Sequence, residues 1–445
     1  MSYMISIEID WQNPEEAFAP FVGKPHAHLL HSGQSAGDDG WSVIVANPVE
    51  IIDTASSESF DRLDNIIRQR RIDRDFGSNN FPFCGGVLGY IGYETAGYFE
   101  PSLKLPSHGY PFPDISLGVY DAALAFSQRL GKGFVIGRTR SACEQLHDLL
   151  QRQTISSTES QASFALESNF SEDEYLQAVE AVRENILDGD YYQMNLSQRI
   201  VGQSQMVVDA YSIAKTALNT ANARFGAFMQ FNDAAIVSTS PERFFKIDPQ
   251  SNRITCEPIK GTRPRGETHE EDRGLASSLQ SDPKDRAENI MIADLMRNDL
   301  SRICDDYSIN EDKICELMTL PNVFHLVSKI SGKLRTEINF SDILRALFPC
   351  GSITGAPKVE AMAAIARMEK VGRGPYCGAI GYYSDCGKAD FSVAIRTMMI
   401  YGESVSIPVG GGVTLRSEPR SEYQETLDKA RNMLASLGQT AKGLR

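Results

Sequence analysis

The chain has 445 residues, a formal net charge of -14, and 42% hydrophobic against 23% charged residues. That profile belongs to a folded protein too long for one ordinary core, so two or three domains or one large two-lobed unit are expected. So acidic a chain is a poor match for nucleic acid or an anionic membrane, and an anionic ligand has to be met locally by a few arginines, main-chain amides or a metal ion.

Residues 1–10 carry no basic-then-apolar leader signal, and no uninterrupted apolar run reaches the about 18 residues that span a bilayer. Eight cysteines, none in a CxxC pair or at metal spacing, read as reduced, buried thiols of a cytoplasmic protein. Residues 1–153 read as an amino-terminal α+β lobe, largely antiparallel, with strand-like runs such as 41–46 and 117–126 between turns. Residues 154–168, TISSTESQASFALES, are rich in Ser, Thr and Gln without periodicity and read as a linker. The region 169–445 then opens on a capping box, Ser171 to Glu174, with helical spacing as far as Gly189. Strands at 226–230, 235–239, 391–400 and 405–408 alternate with long helices, which gives a second α+β unit.

Residues 258–266, PIKGTRPRG, set Lys260 among backbone-breaking residues and beside Arg263 and Arg265. An amine there becomes a nucleophile if neighbouring cations or burial favour loss of its proton; a solvated basic turn is the plain alternative. Asp282 and Pro283 open a helix on which Glu288 shares a stripe with Met291, Ile292, Leu295 and Asp299. A carboxylate aimed at an apolar face needs a cation, a hydrogen-bond network or a raised pKa, and Arg297 or Arg302 is its ordinary partner. His325 interrupts a strand-like run and is either a core histidine or a ligand contact. Residues 351–358, GSITGAPK, resemble a phosphate loop only loosely, so nucleotide binding is not expected. Arg396 interrupts the apolar strand 390–400, which calls for a bidentate carboxylate partner. Gly410, Gly411 and Gly412 offer unobstructed amides as an anion nest, or else form a hairpin turn. In the last helix Glu422, Glu425 and Lys429 share a stripe; two glutamates so close repel unless a cation sits between them. With Glu288 they make three oxygen donors from two helices, a set that suits Mg²⁺.

Together these segments resemble the chorismate-utilising enzymes. PIKGT, AENIMIADLMRNDL, GSITGAPK, YCGAIGY, FSVAIRT, VGGGVT and EYQETLDKA follow one another in the family's order, from about Glu172 to the end. The resemblance implies two large antiparallel β-sheets in a sandwich flanked by helices, with the active site in a cleft. Its implied ligand is chorismate, a ring dicarboxylate bearing an enolpyruvyl arm. Where isochorismate and salicylate synthases carry a water-activating lysine, this chain has Gln193, and where anthranilate synthases usually carry alanine, it has Lys260, like the aminodeoxychorismate synthases of the para-aminobenzoate branch. The resemblance then implies Lys260 as nucleophile, Glu242 as proton donor, and Mg²⁺ on Glu288, Glu422 and Glu425. It implies Gly261 and Thr262 on the ring carboxylate, Arg396, Tyr376, Gly410 and Gly412 on the pyruvyl carboxylate, and Thr354, His325 and Lys429 near the substrate. Segments 28–33 and 81–86 resemble those around a tryptophan pocket, with Ser32 an effector contact; tryptophan binding stays open because Tyr93-Glu94 replaces a more usual Tyr-Asp. No amidotransferase pattern of cysteine, histidine and glutamate is present, so a separate glutaminase subunit is expected to supply ammonia. Anthranilate synthesis and a silent tryptophan-binding subunit are the alternatives.

Overall fold

The computed structural model describes residues 4–33, 40–72, 81–152 and 162–441. Its strands form two large antiparallel sheets. The first has twelve strands, and along it Ile5–Asp10, Lys132–Gly137, Ala122–Ser127, Trp41–Val45 and His28–His31 are followed directly by Phe225–Gln230, Ala234–Ser240, Thr397–Tyr401, Ser404–Thr414 and Gln193–Gln203. The second has ten, running from Ile259–Pro264 and Val323–Lys333 through Arg243–Asp248 and Ala389–Val393 to Gly86–Ile91 and Ile115–Tyr120. Strands such as Gly86–Ile91 and Ala122–Ser127 are buried at every position, because both faces of each sheet are covered.

Side-chain alternation separates the layers. Val43, Met229 and Ile236 join Tyr90, Leu117 and Phe245 in the core shared by the two sheets. Their chain neighbours Ile44, Phe228 and Val237 face the other way and pack with Leu146, Ala217 and Leu434 of the helices Arg140–Leu150, Ala210–Ala221 and Pro419–Ser436. Each such large side chain contributes roughly 1.5–3 kcal/mol by leaving water.

The sandwich agrees with expectation; the two-lobe division does not describe it. His28–His31 pairs with Phe225–Gln230, and Gly86–Ile91 pairs with Ala379–Ser384, so segments from before residue 153 and after 169 complete each other's sheets. Of the expected linker, 154–161 lies outside the described residues, and Ala165–Ser168 is a strand on Gln193–Gln203 rather than a spacer. The run 117–126 is two strands, Ile115–Tyr120 and Ala122–Ser127, in different sheets. The run 390–400 likewise breaks into Ala389–Val393 of the second sheet and Thr397–Tyr401 of the first. Arg396 lies in that crossover with φ of 51°, in the left-handed region, where a non-glycine residue is strained.

The capping box forms as read: Ser171 Oγ accepts from the Glu174 amide at 3.3 Å and Glu174 Oε2 accepts from the Ser171 amide at 2.8 Å. Asp282 caps the helix Pro283–Ser301 by accepting from the Lys284 and Asp285 amides at 2.9 and 3.0 Å. All eight cysteines are buried and unbridged. No described helix is long and apolar enough to cross a membrane.

Candidate active site

The site forms where the Ser404–Thr414 and Gln193–Gln203 strands of the first sheet meet the outermost strand of the second, Ile259–Pro264. The latter pairs with Val323–Lys333 and is bulged between Lys260 and Thr262. Gly261 permits the bulge: its φ is 81°, and a Cβ there would sit 2.9 Å from Asp285 Cγ and Leu279 Cδ1. Past the bulge, Thr262 Oγ1 lies 2.9 Å from His325 Nδ1. Lys260 Nζ donates to the Ser352 carbonyl at 3.0 Å. A Cβ on Gly412 would come within 2.5 Å of Gln193 Nε2 and 3.1 Å of Lys260 Nζ, so glycine at 412 makes room for both side chains. Gly410 and Gly412 are thus mid-strand, opposite Ser197 and Asn195, rather than the turn or nest the sequence suggested.

Three carboxylates, Glu242, Glu288 and Glu425, feel the charge of this amine, and a fourth, Glu422, lies near Glu288. Glu242, between Ala234–Ser240 and Arg243–Asp248, is 3% exposed. Burial pushes it up to about 7, against opposing pulls from a Ser352 hydrogen bond and from Lys260. Glu288 is pushed up to about 7 by burial as well, opposed by Lys260 and Lys284. Glu242 Oε1 and Glu288 Oε1 are both buried without a hydrogen-bond partner. Glu422 is met by Lys284 at 3.1 Å, and Glu425 by Lys429 at 2.7 Å. The Lys429 ammonium holds the Glu425 carboxyl below its ordinary range and also donates to the Gly410 carbonyl at 2.8 Å.

Several expected partners are elsewhere. Arg263 and Arg265, expected as cationic neighbours of the lysine, are engaged by acids: Arg263 with Asp282 and Asp285 at 3.1 and 3.0 Å, Arg265 with Asp272 at 2.7 Å. Arg297 pairs with Asp294 and Glu311 rather than Glu288. Thr354 is fully buried and its hydroxyl donates to the Cys350 and Gly351 carbonyls, so it braces the loop that carries Ser352 instead of opening onto the cleft. Arg396 has no ion pair or side-chain hydrogen bond among the described residues, so the bidentate carboxylate partner its sequence position called for is not found among them; the Tyr376 hydroxyl and the Glu425 carboxylate act on it through charge alone. Burial first, and the Arg396 charge second, push His325 down to about 4, which keeps the imidazole neutral near pH 7. Tyr376 is buried with its hydroxyl 3.5 Å from Ser197 Oγ.

Ser32 lies apart from this cleft. It lines a cavity of about 390 Å³ between the sheets with Leu30, His31, Trp41, Pro82 and Tyr382. Segments 28–33 and 81–86, paired by resemblance, therefore do contribute to one pocket.

The donors fit a hard divalent cation: carboxylate oxygens from two helices, one of them, at Glu288, buried without a hydrogen bond. Their ligand atoms are not drawn together, however; among the described residues the one group of such atoms all within 4.8 Å is Glu94, His108 and Asp114. Between Glu422 and Glu288 stands Lys284, which sequence reasoning missed although it lies one turn before Glu288. Ser352 was missed too, since its contribution is a carbonyl that no residue type announces. Gln193 was read only for what it cannot do; both atoms of its amide are buried without a partner.

The chain matches the model of the chorismate binding enzymes over residues 27–435. It is 36% identical over 439 residues to aminodeoxychorismate synthase component 1 of Salmonella typhimurium, covering 95% of each chain. With anthranilate synthase component 1 of Pseudomonas putida it shares 32% over 464 residues, covering 96% of this chain and 93% of that one. The crystal structure of anthranilate synthase component I from Streptococcus pneumoniae TIGR4 superposes with a TM-score of 0.77 at 30% identity, covering 88% of this chain and 92% of the other.

Proposed function

The chain belongs to the chorismate binding enzymes, and from that premise we propose that it converts chorismate and ammonia to 4-amino-4-deoxychorismate through a covalent intermediate on Lys260. The observation that carries this reading is the juxtaposition at Ser352, whose carbonyl accepts from the Lys260 amine at 3.0 Å and whose side chain, with Lys260, opposes the effect of burial on Glu242. In this reading the nucleophile stands beside a proton donor, Glu242, that burial pushes up to about 7.

In this mechanism Arg396 and Tyr376 hold the pyruvyl carboxylate, and Gly261 and Thr262 meet the ring carboxylate. Lys260 Nζ bonds to C2, the ring double bonds shift, and the C4–O bond breaks as Glu242 gives the proton with which the hydroxyl leaves as water. Ammonia then bonds to C4, the double bonds return, Lys260 departs from C2, and the proton shed by the new amine returns to Glu242. The net change is loss of water and gain of ammonia, with the enolpyruvyl arm retained. Gln193, with two unpartnered amide atoms beside Lys260, orients the incoming ammonia without acting as a base. Glu288, Glu422 and Glu425 would hold Mg²⁺, which when bound draws electron density from the ring carboxylate. Neutral His325 positions Thr262, and Lys429 fixes Glu425 against the Gly410 carbonyl.

A separate glutaminase component would supply the ammonia. The 390 Å³ cavity around Ser32 is read as an effector pocket of a size for tryptophan. The test is to incubate the pure chain with chorismate, Mg²⁺ and ammonium and to resolve the products by mass. Aminodeoxychorismate is expected. Anthranilate would overturn the assignment in favour of the other reaction, and tryptophan binding without any product would favour a silent subunit.

A further inference from the structure

Lys284 takes no part in the chemistry above, yet its ammonium stands among the acids assigned to the metal. Its Nζ is 3.1 Å from Glu422 Oε1 and 3.9 Å from Glu288 Oε1. Its backbone is pinned in the first helical turn, where the amide donates to Asp282 at 2.9 Å. Four methylenes separate that fixed point from the charge, and the side chain is 38% exposed while that of Glu422 is 3% exposed. A buried carboxylate without a counter-charge strongly disfavours the fold, and among the described residues Lys284 is the one that forms an ion pair with Glu422.

The other lysine of the cluster is built differently. Lys429 is held by Glu425 and also by a main-chain carbonyl, that of Gly410. The partners of the Lys284 ammonium are Glu422 and Glu288, two of the groups a divalent cation would take. Two positive charges do not share such a space, so a cation that enters displaces the lysine, and the lysine has open solvent to move into.

We propose that Lys284 is an exchangeable counter-ion: its ammonium neutralises Glu422 and Glu288 in the metal-free protein and swings out when a divalent cation binds, so that cation uptake and lysine release are one event. The inference rests on the reading of Glu288, Glu422 and Glu425 as the metal site. It explains how a cluster of acids stays folded without metal. It also makes metal affinity a difference between two cations competing for one place.

The experiment is calorimetric titration of MgCl₂ into the full chain after dialysis against EDTA, together with thermal melting in EDTA, for wild type, Lys284→Gln and Lys284→Arg. Lys284→Gln is expected to bind Mg²⁺ about tenfold more tightly, to melt lower in EDTA, and to gain more from added Mg²⁺. Lys284→Arg keeps the charge in a fork that grips both acids, so it should melt like wild type in EDTA and bind Mg²⁺ more weakly. Wild-type Mg²⁺ affinity in both variants, or unchanged melting of Lys284→Gln in EDTA, would overturn the exchange while leaving the metal site in place. No titration by wild type or either variant would remove the metal site itself, and the exchange with it.

Discussion

Two buried charge clusters lie side by side in this protein and are finished differently. In one, Arg373 donates to Glu369 through both Nε and Nη2, to the Ile353 carbonyl at 2.9 Å and to the Asn195 carbonyl at 2.9 Å, while Glu369 also accepts the Ser197 amide at 2.8 Å. Every strong donor and acceptor is matched, and the cluster ties the helix Lys358–Glu369 to the strand Gln193–Gln203. In the other, Glu242 and Glu288 are pushed up to about 7 and each retains a buried oxygen without a hydrogen bond. The first is closed and serves the fold; the second is left open, at the place where the proposed reaction needs a ligand. Open valence, rather than burial or charge, separates a site from a support.

The largest test of that distinction is Lys260→Ala. Removing the proposed nucleophile should lower aminodeoxychorismate formation by about 10⁴-fold or more, as removal of a covalent catalyst does, and abolish any mass adduct on the peptide containing residue 260. Chorismate binding should be largely kept. A persisting adduct would show that another residue attacks. Next is Glu369→Gln, which breaks the closed cluster and leaves Arg373 as an uncompensated buried cation. Chemical denaturation should show a loss of about 3–5 kcal/mol. A loss near zero would mean that the closed cluster is not a support, and the comparison would fall.

Much of this was legible in the sequence, and the misses share a cause. Glu242, Glu288 and Glu425 do lie within reach of the Lys260 charge and Glu422 within reach of Glu288; Glu242 and Lys260 were placed by resemblance, and the three helical glutamates by helical period, which reports which side chains share a face. The sandwich followed from resemblance. The lobes did not hold, since strand order is set by pairings such as Ala227 with Leu30 and Gly381 with Gly89, between residues far apart in the chain. Arg396 was placed inside a strand because its neighbours are apolar; a local pattern cannot show that the chain changes sheets at that point. Lys284 and the Ser352 carbonyl were invisible for a related reason, as the partner of each is supplied by another element.

Glu242→Gln gives the finest comparison, because it closes part of the open cluster without removing a cation. The carboxyl titrates near 7 in the fold against an ordinary value of 4.5. Below about pH 4.5 folded and unfolded chains both keep the proton and the group is without effect on stability. As pH rises, the unfolded chain releases its proton first, so the folded state loses ground until the pH passes about 7, beyond which the loss is constant. Glutamine does not titrate. The variant should therefore be about as stable as wild type at pH 4.5 and more stable by on the order of 1–3 kcal/mol at pH 8, both measured by denaturation in EDTA. Its turnover should fall by about a hundredfold, and the wild-type decline in kcat as pH rises through about 7 should vanish with the acid that causes it. A stability gap independent of pH would mean that Glu242 rests as a charged carboxylate, and the proton for the departing hydroxyl would then have to come from another group.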